Sequence, residues 1–287
     1  MRTRPLNPPR LMWWQKRSAP PPSFLMFTLF GVTIANLNLV EAISRLEQLL
    51  ASGGQHLVVT ANPEILLAAR QDQTYRDVLQ RASLVLADGT GVVLASYLFG
   101  QPITSGRVVG VDLVEALVAG SGWQRYSVFL AGSTKVALDK TTQYLSLKYD
   151  NINIIGAYSG QQARVYTKQT SEAETATLIQ KLNKLRPDVL LLGFGHPKQE
   201  LWLAKHLPHL PVKIAIGVGG TFDYLSGQVP RAPHWLRGIG LEWAFRLWVE
   251  PRRWHRIWQA VVTFPVLVCA ERLKQLFHVE QGHKGKY

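Results

Sequence analysis

One carboxylate, placed between an apolar run and two glycines, is the first candidate for chemistry in this sequence. In "VLADGTG", Asp88 directly follows the apolar run and precedes Gly89 and Gly91, so it can point into a cleft without a bulky neighbour. A carboxylate in that setting can act as a general base that accepts a proton from a hydroxyl nucleophile. The alternative is a turn aspartate whose side chain accepts hydrogen bonds from backbone amides. The triplet alone leaves both interpretations open.

A second polar pair follows another apolar run, in "VVTANPE". Thr60 and Asn62 are short polar side chains that can orient a sugar or a phosphate by hydrogen bonds. The Asn62–Pro63 step also suits a helix start, with Pro in the first turn and Glu64 near the positive end of the helix dipole. Asn62 is therefore either a helix cap or a ligand-binding residue.

Glycine-rich turns follow two further apolar runs. Gly132 and Ser133 lie in "FLAGST", and Gly217, Gly219 and Gly220 lie in "GVGGTF". Such turns let backbone amides approach a diphosphate, and helix N-termini can supply the positive potential without a metal. Neither turn is a full GxGxxG followed by a helix, so the nicotinamide-binding fingerprint is absent.

The stretch "GFGHPKQELW" is the most polar of these endings. It follows the apolar run "DVLLL" and contains Gly195, His196, Lys198, Gln199 and Glu200. Three adjacent polar side chains after a buried strand cannot all belong to the core, and a Gln facing a cleft needs a partner. The histidine is either a loop residue or a proton carrier, because no second His at ligand spacing indicates a metal site.

An arginine in "GRVVGVDL" completes the set of chemical candidates. Arg107 follows a predicted loop, where a guanidinium can clamp a phosphate with two parallel hydrogen bonds. An exposed loop arginine without such a role is the alternative.

The elements that position these residues are predicted by alternation of short apolar runs with longer amphipathic stretches from Phe27 onward. "LNLVEAISRLEQLLASGG" predicts a helix that ends at a Gly pair. Six apolar runs each end in small or polar residues, in "HLVVTANPE", "SLVLADGTG", "YSVFLAGST", "NINIIGAYSG", "DVLLLGFGHPKQE" and "KIAIGVGGTFD". Parallel strands would bring all these endings to one edge of the sheet. The pattern predicts an α/β, Rossmann-like, mostly parallel sheet with flanking helices.

Composition limits the class of protein. The 287-residue chain is 47% hydrophobic and 18% charged, which is ample for a core, and its net charge of +13 favours an anionic partner. The single cysteine, Cys269, excludes an internal disulfide framework and a zinc-type cysteine cluster. No window reaches the ~18 apolar residues that a bilayer span needs. We therefore expect a soluble or membrane-peripheral protein.

The two ends of the chain differ from its middle. Residues 1–26 are basic and proline-rich and are predicted to form an arm, and residues 27–230 an α/β catalytic domain. Residues 231–287 are predicted to form an appendage of short helices, broken at Pro251. Within this appendage, five of the nine Trp residues are interleaved with six Arg residues.

Eight stretches, in this order, resemble the WecG/TagA/CpsF family of glycosyltransferases. They are "TANPE", "ADGTGVV", "GRVVGVDL", "FLAGS", "GFGHPKQELW", "GVGGTFDYLSG", "RAPHWLRGIGLEW" and "RLWVEPRRWHR". The resemblance runs from about Gly31 to Arg256. It implies an inverting, metal-independent transferase that needs no cofactor. Such an enzyme moves N-acetylmannosamine or a related sugar from a UDP donor to a polyprenyl-diphosphate-linked sugar acceptor, in cell-surface polysaccharide synthesis.

The resemblance also implies roles for individual residues. The predicted catalytic set is the base Asp88, the TxN pair Thr60 and Asn62, the phosphate-facing Arg107, and the PKQE glutamine Gln199. The residues expected to bind substrate around them are Gly132, Ser133, Gly195, Lys198, Gly219, Asp223, Arg237, Arg246, Arg253 and Arg256. The family resemblance makes self-association a further expectation.

The appendage carries a hypothesis of its own. A lipid-linked acceptor stays in the bilayer, so the catalytic edge must come to it. We expect the appendage to close over the cleft and to rest on the membrane, with Trp at headgroup level and Arg facing lipid phosphates and the acceptor diphosphate. The alternative is a helical lid whose Trp residues pack on the sheet. The expected location is cytoplasmic, peripherally attached to the inner face of the plasma membrane.

A different class of protein also fits the composition. A non-catalytic nucleotide- or nucleic-acid-binding module would use interleaved Trp and Arg for stacking and phosphate contacts. Against it, the basic and aromatic residues concentrate at the C-terminus, away from the strand-end cleft. No nucleic-acid partner is therefore expected.

Overall fold

The computed structural model describes residues 26–160 and 172–284. The predicted basic arm, apart from its last residue Met26, lies outside the described residues. Within them, the strands are β1 (Met26–Leu29), β2 (Val32–Ala35), β3 (His56–Ala61), β4 (Leu84–Ala87), β5 (Val128–Gly132), β6 (Ile154–Tyr158), β7 (Val189–Gly193) and β8 (Ile214–Gly217).

These strands form a single sheet in the order β1-β2-β4-β3-β8-β7-β5-β6. Strands β2 to β8 are mutually parallel, and β1 pairs with β2 as an antiparallel hairpin at the edge. All six strands expected from the apolar runs are present, so the predicted mostly parallel α/β sheet is confirmed. The β1–β2 hairpin was not among the predicted strands.

The register of the parallel strands places the carboxyl ends of β3, β4, β7 and β8 side by side. Gly217 of β8 is paired with Val59 of β3 and with Leu192 of β7, and Ala61 of β3 is paired with Ala87 of β4. Parallel strands in register release their following residues at the same edge of the sheet. The polar residues after β3, β4, β7 and β8 are therefore neighbours.

Helices cover both faces of the sheet and continue into a helical C-terminal segment. The α-helices of the described residues are α1 (Leu39–Ser52), α2 (Pro63–Gln71), α3 (Gln73–Gln80), α4 (Thr90–Leu98), α5 (Gly110–Ser121), α6 (Lys135–Lys148), α7 (Glu172–Leu185), α8 (Lys198–His206), α9 (Thr221–Leu225), α10 (His234–Gly238), α11 (Glu242–Val249), α12 (Trp254–Trp258) and α13 (Phe264–Lys284). The predicted first helix is confirmed as α1, which starts with a capping box between Asn38 and Glu41.

Two apolar cores lie on opposite faces of the sheet. One contains buried residues of α2, α3, α4, α7, α8 and α13, and the other contains buried residues of α1, α5, α6 and α9. Successive strand residues such as Val58 and Val59 belong to different cores, because side chains alternate between the faces of a strand. A strand buried on both faces is apolar throughout, which is why the strands appear in the sequence as continuous apolar runs.

The C-terminal segment is helical and broken at Pro251, as predicted. A 3-10 turn at Pro251–Arg253 separates α11 from α12, and a π-helical stretch at Gln259–Thr263 precedes α13. Helix α13 returns to the sheet, where Phe264 is 1% exposed and contacts Phe30 edge to face. The apolar stretch before and within α13 is thus partly used to cover the α/β core.

The junction between α5 and β5 provides a test of this packing. An ideal Cβ at Gly122 would lie 1.6 Å from the carbonyl oxygen of Asn151, so Gly122→Ala must push two backbone segments apart. We expect a destabilisation of about 3 kcal/mol and a melting temperature lower by roughly 5–10 °C. Thermal unfolding followed by circular dichroism measures this change.

The matched control is Gly238→Ala in α10, where a new Cβ would meet no atom within 4 Å. We expect its melting temperature to stay within about 2 °C of the parent, since surface substitutions change stability little. Equal melting temperatures for the two variants would contradict the close packing at Gly122.

Candidate active site

A cleft of about 620 Å³ lies at the carboxyl edge of the sheet, a volume in the range of small-molecule sites. It is lined by the predicted site residues Thr60, Asn62, Asp88, Ser133, Gly195, Lys198, Gln199, Gly219, Asp223, Arg246, Arg253 and Arg256. The structure does not bring Arg107, Gly132 and Arg237 to its surface. Residues separated by almost 200 positions in the chain thus meet in one place.

Asp88 lies at the floor of the cleft, where three polar groups surround it. The backbone N–H of Gly110, the first residue of α5, donates to the Asp88 carboxylate. An ideal Cβ at Gly110 would lie 3.5 Å from Thr221 Oγ1, 3.6 Å from Thr60 Oγ1 and 3.9 Å from Asp88 Oδ2. Because Gly110 has no side chain, the position that a Cβ would take among these oxygens is left open.

The environment of Asp88 raises its pKa from 3.8 to about 7. Burial is the main cause, since it disfavours the charged form. The positive charge of Arg107 and the hydrogen bond from Gly110 oppose this shift, whereas the negative charges of Glu242 and Asp112 add to it. A carboxylate with a pKa near 7 suits general-base catalysis at neutral pH.

Asn62 caps a helix and also lines the cleft, so its two predicted roles do not exclude each other. Its Oδ1 accepts a hydrogen bond from the Ile65 amide at 3.0 Å and caps α2, which confirms the cap. The same residue lines the cleft beside the buried Thr60. Because the cap bond uses only the oxygen of the amide, Nδ2 remains a donor for a bound ligand.

Arg107 is not among the residues that line the cleft, and its role as a phosphate clamp stays a prediction. Its guanidinium donates to the Arg237 carbonyl at 3.0 Å and pairs with Glu242 at 3.3 Å. Arg107 therefore ties the appendage to the α/β body, and it affects Asp88 through its charge. Arg237 contributes its backbone carbonyl to this contact.

Gly132 also has a structural reason to be glycine. An ideal Cβ there would lie 2.7 Å from the backbone carbon of Gly193 on the neighbouring strand, and its φ is +88°. The predicted approach of a diphosphate to this backbone stays a prediction. The next residue, Ser133, does line the cleft, and its hydroxyl donates to Asp223 Oδ1 at 3.1 Å.

Gln199 holds two loops of the cleft together. Its Oε1 accepts from the amides of Gly195 and Gly219, both at 3.0 Å, and the side chain is buried. The sequence analysis predicted that this glutamine needs a hydrogen-bond partner. The structure shows that its partners are backbone amides of the loops after β7 and β8. Lys198, its neighbour at the start of α8, lines the cleft.

Three arginines of the appendage form the outer wall of the cleft, and acidic residues hold them there. Arg246 and Arg253 pair with Glu250 at 2.7 and 3.4 Å. Arg256 pairs with Glu64 of α2 through its Nε at 2.7 Å. All three arginines line the cleft.

Other cleft residues were not singled out in the sequence as site residues. Thr221 follows β8 and lies near Asp88, and Tyr224 lies under the Arg246 guanidinium with its ring centroid at 4.4 Å. The strand-end position of "GVGGTFDYLSG" was a sufficient signal for Thr221. Glu242 offered no such signal, because its place in the cleft depends on how the appendage folds back.

The tryptophans of the appendage point away from the core. The exposed fractions of their side chains are 66% at Trp235, 39% at Trp243, 78% at Trp248, 52% at Trp254 and 58% at Trp258. These exposures do not favour the alternative in which the tryptophans merely pack on the sheet. Among the residues that the structure describes, no helix is long and apolar enough to cross a membrane.

Acidic, histidine and cysteine side chains do not gather in metal-binding groups of three within residues 26–160 and 172–284. His196 lies at the cleft rim, where its Nε2 is 3.4 Å from Glu64 Oε2. Burial lowers its pKa, and the nearby positive charges of Arg256 and Arg253 act in the same direction, against Glu64.

The fold and site together define an α/β protein with a buried carboxyl group of raised pKa at the edge of a parallel sheet and arginines along the same cleft. Residues 27–277 match the model of the glycosyl transferase WecG/TagA/CpsF family. The chain belongs to this family of glycosyltransferases.

Curated relatives agree with this assignment. A Bacillus subtilis (strain 168) protein is 32% identical over 88% of this chain and 94% of its own length. A Bacillus spizizenii protein is 36% identical over 70% of this chain and 74% of its own. A Staphylococcus aureus (strain MRSA252) protein is 29% identical over 80% of this chain and 85% of its own. All three are named N-acetylglucosaminyldiphosphoundecaprenol N-acetyl-beta-D-mannosaminyltransferase.

The raised pKa of Asp88 has a consequence for stability. Because this pKa is about 7 in the fold against 3.8 ordinarily, ionisation destabilises the folded state increasingly as the pH rises from about 4 to 7. Asn cannot ionise, and it keeps an oxygen for the Gly110 amide. We expect Asp88→Asn to raise the melting temperature, by more at pH 8 than at pH 5.

Differential scanning calorimetry at both pH values measures this gain. The control is Asp139→Asn, which replaces an aspartate whose side chain is 59% exposed on α6, and we expect no comparable gain from it. An unchanged or lower melting temperature of Asp88→Asn at pH 8 would contradict the raised pKa.

Proposed function

We propose that this protein transfers N-acetylmannosamine, or a related sugar, from a UDP donor to a polyprenyl-diphosphate-linked sugar acceptor, with inversion at the anomeric carbon. The observation that carries the proposal is Asp88, a carboxylate of raised pKa at the floor of a cleft walled by arginines. The names of the relatives support the sugar and the acceptor. The product would serve cell-surface polysaccharide synthesis.

The reaction is a single displacement. Asp88 takes the proton of the acceptor hydroxyl, and the hydroxyl oxygen forms a bond to the anomeric carbon of the donor sugar. The bond between that carbon and the diphosphate breaks at the same time, and its electron pair leaves on UDP. Attack from the face opposite the leaving group inverts the anomeric centre.

The polar groups around Asp88 orient this attack. Thr60 and Thr221 place hydroxyls beside the open space at Gly110, where they can hold the acceptor hydroxyl or the sugar. Ordered donors and acceptors of this kind reduce the entropy cost of bringing the reacting atoms together.

The departing diphosphate needs positive charge, and the appendage supplies it. Arg246, Arg253 and Arg256 line the cleft together with Lys198. Groups of opposite charge aimed at the leaving group stabilise the charge that develops on it. In this scheme the three arginines take the role first assigned to Arg107, whose guanidinium pairs with Glu242.

The alternative function, a non-catalytic nucleotide- or nucleic-acid-binding module, has no support among the relatives, which are named as transferases. Self-association remains a prediction of the family resemblance.

We further propose that the appendage rests on the inner face of the plasma membrane. Two features support this placement: four exposed tryptophans, Trp235, Trp248, Trp254 and Trp258, are not among the residues that line the cleft, whereas Arg246, Arg253 and Arg256 are. Amphipathic aromatic rings favour the headgroup region, where one end is apolar and the other is wet. Docking of this kind would bring the cleft to an acceptor that cannot leave the bilayer.

The first prediction of this proposal concerns Asp88→Asn. We expect UDP affinity, measured by isothermal titration calorimetry, to stay within a few-fold of the parent. Turnover of a UDP-sugar with a lipid-diphosphate acceptor should fall by roughly 10²–10⁴-fold, because the base is lost. For the parent, kcat should rise with pH up to about 7 and then level off, since a base works only when deprotonated.

Asp139→Asn is again the control, with parental turnover and the parental pH profile expected. Parental turnover by Asp88→Asn would remove this residue from the mechanism.

A second prediction concerns the exposed tryptophans. Trp248 and Trp258 are 78% and 58% exposed, so their joint replacement by Ala removes membrane contacts without opening the core. We expect binding to vesicles containing phosphatidylglycerol to weaken by about tenfold or more, as each buried aromatic side chain contributes on the order of 2 kcal/mol. Vesicle co-sedimentation measures this binding.

Trp123→Ala is the matched control, because Trp123 is 71% exposed but follows α5 at the opposite edge of the sheet. Its vesicle binding should equal that of the parent, and UDP binding should survive in both variants. Undiminished vesicle binding by the double variant would refute the proposed contact.

A further inference from the structure

A carboxylate that the proposed reaction does not use is buried beneath the cleft. Glu200 of α8 has no exposed surface. Its Oε2 accepts from the Tyr75 hydroxyl at 3.0 Å, and its Oε1 accepts from Gln199 Nε2 at 2.7 Å. Burial raises the pKa of this carboxyl, against the hydrogen bonds that it accepts. A buried acid costs free energy unless it is well paired, so its place needs an explanation.

Gln199, which donates to Glu200, also holds the two loops of the cleft in their conformations. Gln199 Oε1 accepts from the amides of Gly195 and Gly219. These glycines have φ values of +77° and +52°, in the left-handed region that few other residues adopt. One oxygen atom therefore holds the loop after β7 and the loop after β8 in unusual conformations.

This chain of hydrogen bonds packs closely against the end of β8. An ideal Cβ at Gly217, the last residue of β8, would lie 2.6 Å from Gln199 Nε2 and 2.8 Å from Glu200 Oε1. Contacts under 3.0 Å force something to move, so β8 must end in glycine for the two side chains to fit beneath it. The chain Tyr75–Glu200–Gln199 is thus held in place by the sheet itself.

The amide group of a glutamine can be rotated by half a turn with almost no change in shape. In one orientation Gln199 offers its oxygen to the two glycine amides, and in the other it turns its NH₂ towards those N–H donors. Glu200 decides between them, because an oxygen of its carboxylate lies on the Nε2 side and accepts only from a donor. The wrong orientation would leave buried donors unsatisfied, which is costly.

We propose that Glu200 and Tyr75 are positioning residues of the transfer reaction. Tyr75 orients the Glu200 carboxylate, the carboxylate orients the Gln199 amide, and the amide oxygen holds the two loops in the shape that receives the phosphorylated donor. These loops carry Lys198 and Thr221 into the cleft. The inference rests on the proposed function for its ligand, but the geometry that it explains belongs to the unliganded chain.

Three variants test the chain of hydrogen bonds. Glu200→Leu removes both acceptors, Tyr75→Phe removes one donor, and Glu200→Gln keeps the shape and can still accept from Gln199 while donating to the Tyr75 oxygen. The readouts are hydrogen exchange at the Gly195 and Gly219 amides, UDP affinity by calorimetry, and kcat and KM for transfer.

For Glu200→Leu we expect about tenfold faster exchange at both amides and about tenfold weaker UDP binding, as two buried hydrogen bonds are lost. Tyr75→Phe should raise the exchange rates and weaken UDP binding by about threefold. Glu200→Gln should show near-parental exchange rates and UDP affinity. The change should appear in KM for the donor more than in kcat, because Asp88 is not displaced. The Tyr75→Phe and Glu200→Gln variants preserve the test even where Glu200→Leu does not fold.

Ser121→Ala is the matched control for general destabilisation. Ser121 is buried at the opposite edge of the sheet, donates to the Val118 carbonyl at 2.7 Å and accepts from the Asn153 amide at 2.7 Å. Loss of the Ser121 hydroxyl should lower the melting temperature without changing hydrogen exchange at the Gly195 and Gly219 amides or the affinity for UDP.

Two results would overturn the inference. One is a rate of hydrogen exchange at the Gly195 and Gly219 amides that stays parental in Glu200→Leu or Tyr75→Phe. The other is a loss of UDP affinity in Glu200→Gln as large as that in Glu200→Leu. Exchange at these amides is measured without substrate. Failure of the parent to bind UDP or to transfer sugar would therefore refute the proposed function separately.

Discussion

The pairing of β8 with β3 on one side and β7 on the other is the constraint on which the site depends. Gly217 is in register with Val59 and Leu192, so the residues that follow these strands are delivered to one level. A shift of one residue would turn every side chain of a strand to the other face, and it would separate Thr60 from Thr221. Because all these strands are buried on both faces, the two apolar cores hold the register against such a shift.

The cleft places polar and charged groups where burial is unfavourable for them. Asp88 has a raised pKa mainly because of burial, and the fold is less stable for it at neutral pH. Gly110, Gly193 and Gly217 let backbone and side chains approach closely around this edge. Active sites often retain such unfavourable features because function requires them. Here the same burial that costs stability raises the pKa of a cleft carboxyl group to near neutrality.

The helical appendage separates two kinds of side chain. Its arginines are drawn inward by acids, with Arg231 forming two hydrogen bonds to Asp112 and Arg256 pairing with Glu64. Its tryptophans are left outward and exposed. Guanidinium groups bind carboxylates and phosphates with the same donors, and the acids hold Arg246, Arg253 and Arg256 along the wall of the cleft. Exposed aromatic rings on the other side favour a membrane surface.

The sequence by itself determined the six strands β3 to β8, the first helix and the break at Pro251, because buried parallel strands and capped helices leave local patterns of apolar, glycine and proline residues. Its strand-end polar residues, Asp88 and Thr60 among them, were found for the same reason. Tertiary structure alone decided that Gln199 joins two loops and that Arg107 pairs with Glu242 of the appendage. It also decided that the "AVVTFPVLVCA" stretch covers the core through Phe264. These contacts join residues far apart in the chain, and their partners are chosen by packing and charge, which leave no local pattern. The short β1–β2 hairpin was missed because two four-residue strands give too brief an alternation to distinguish from a loop.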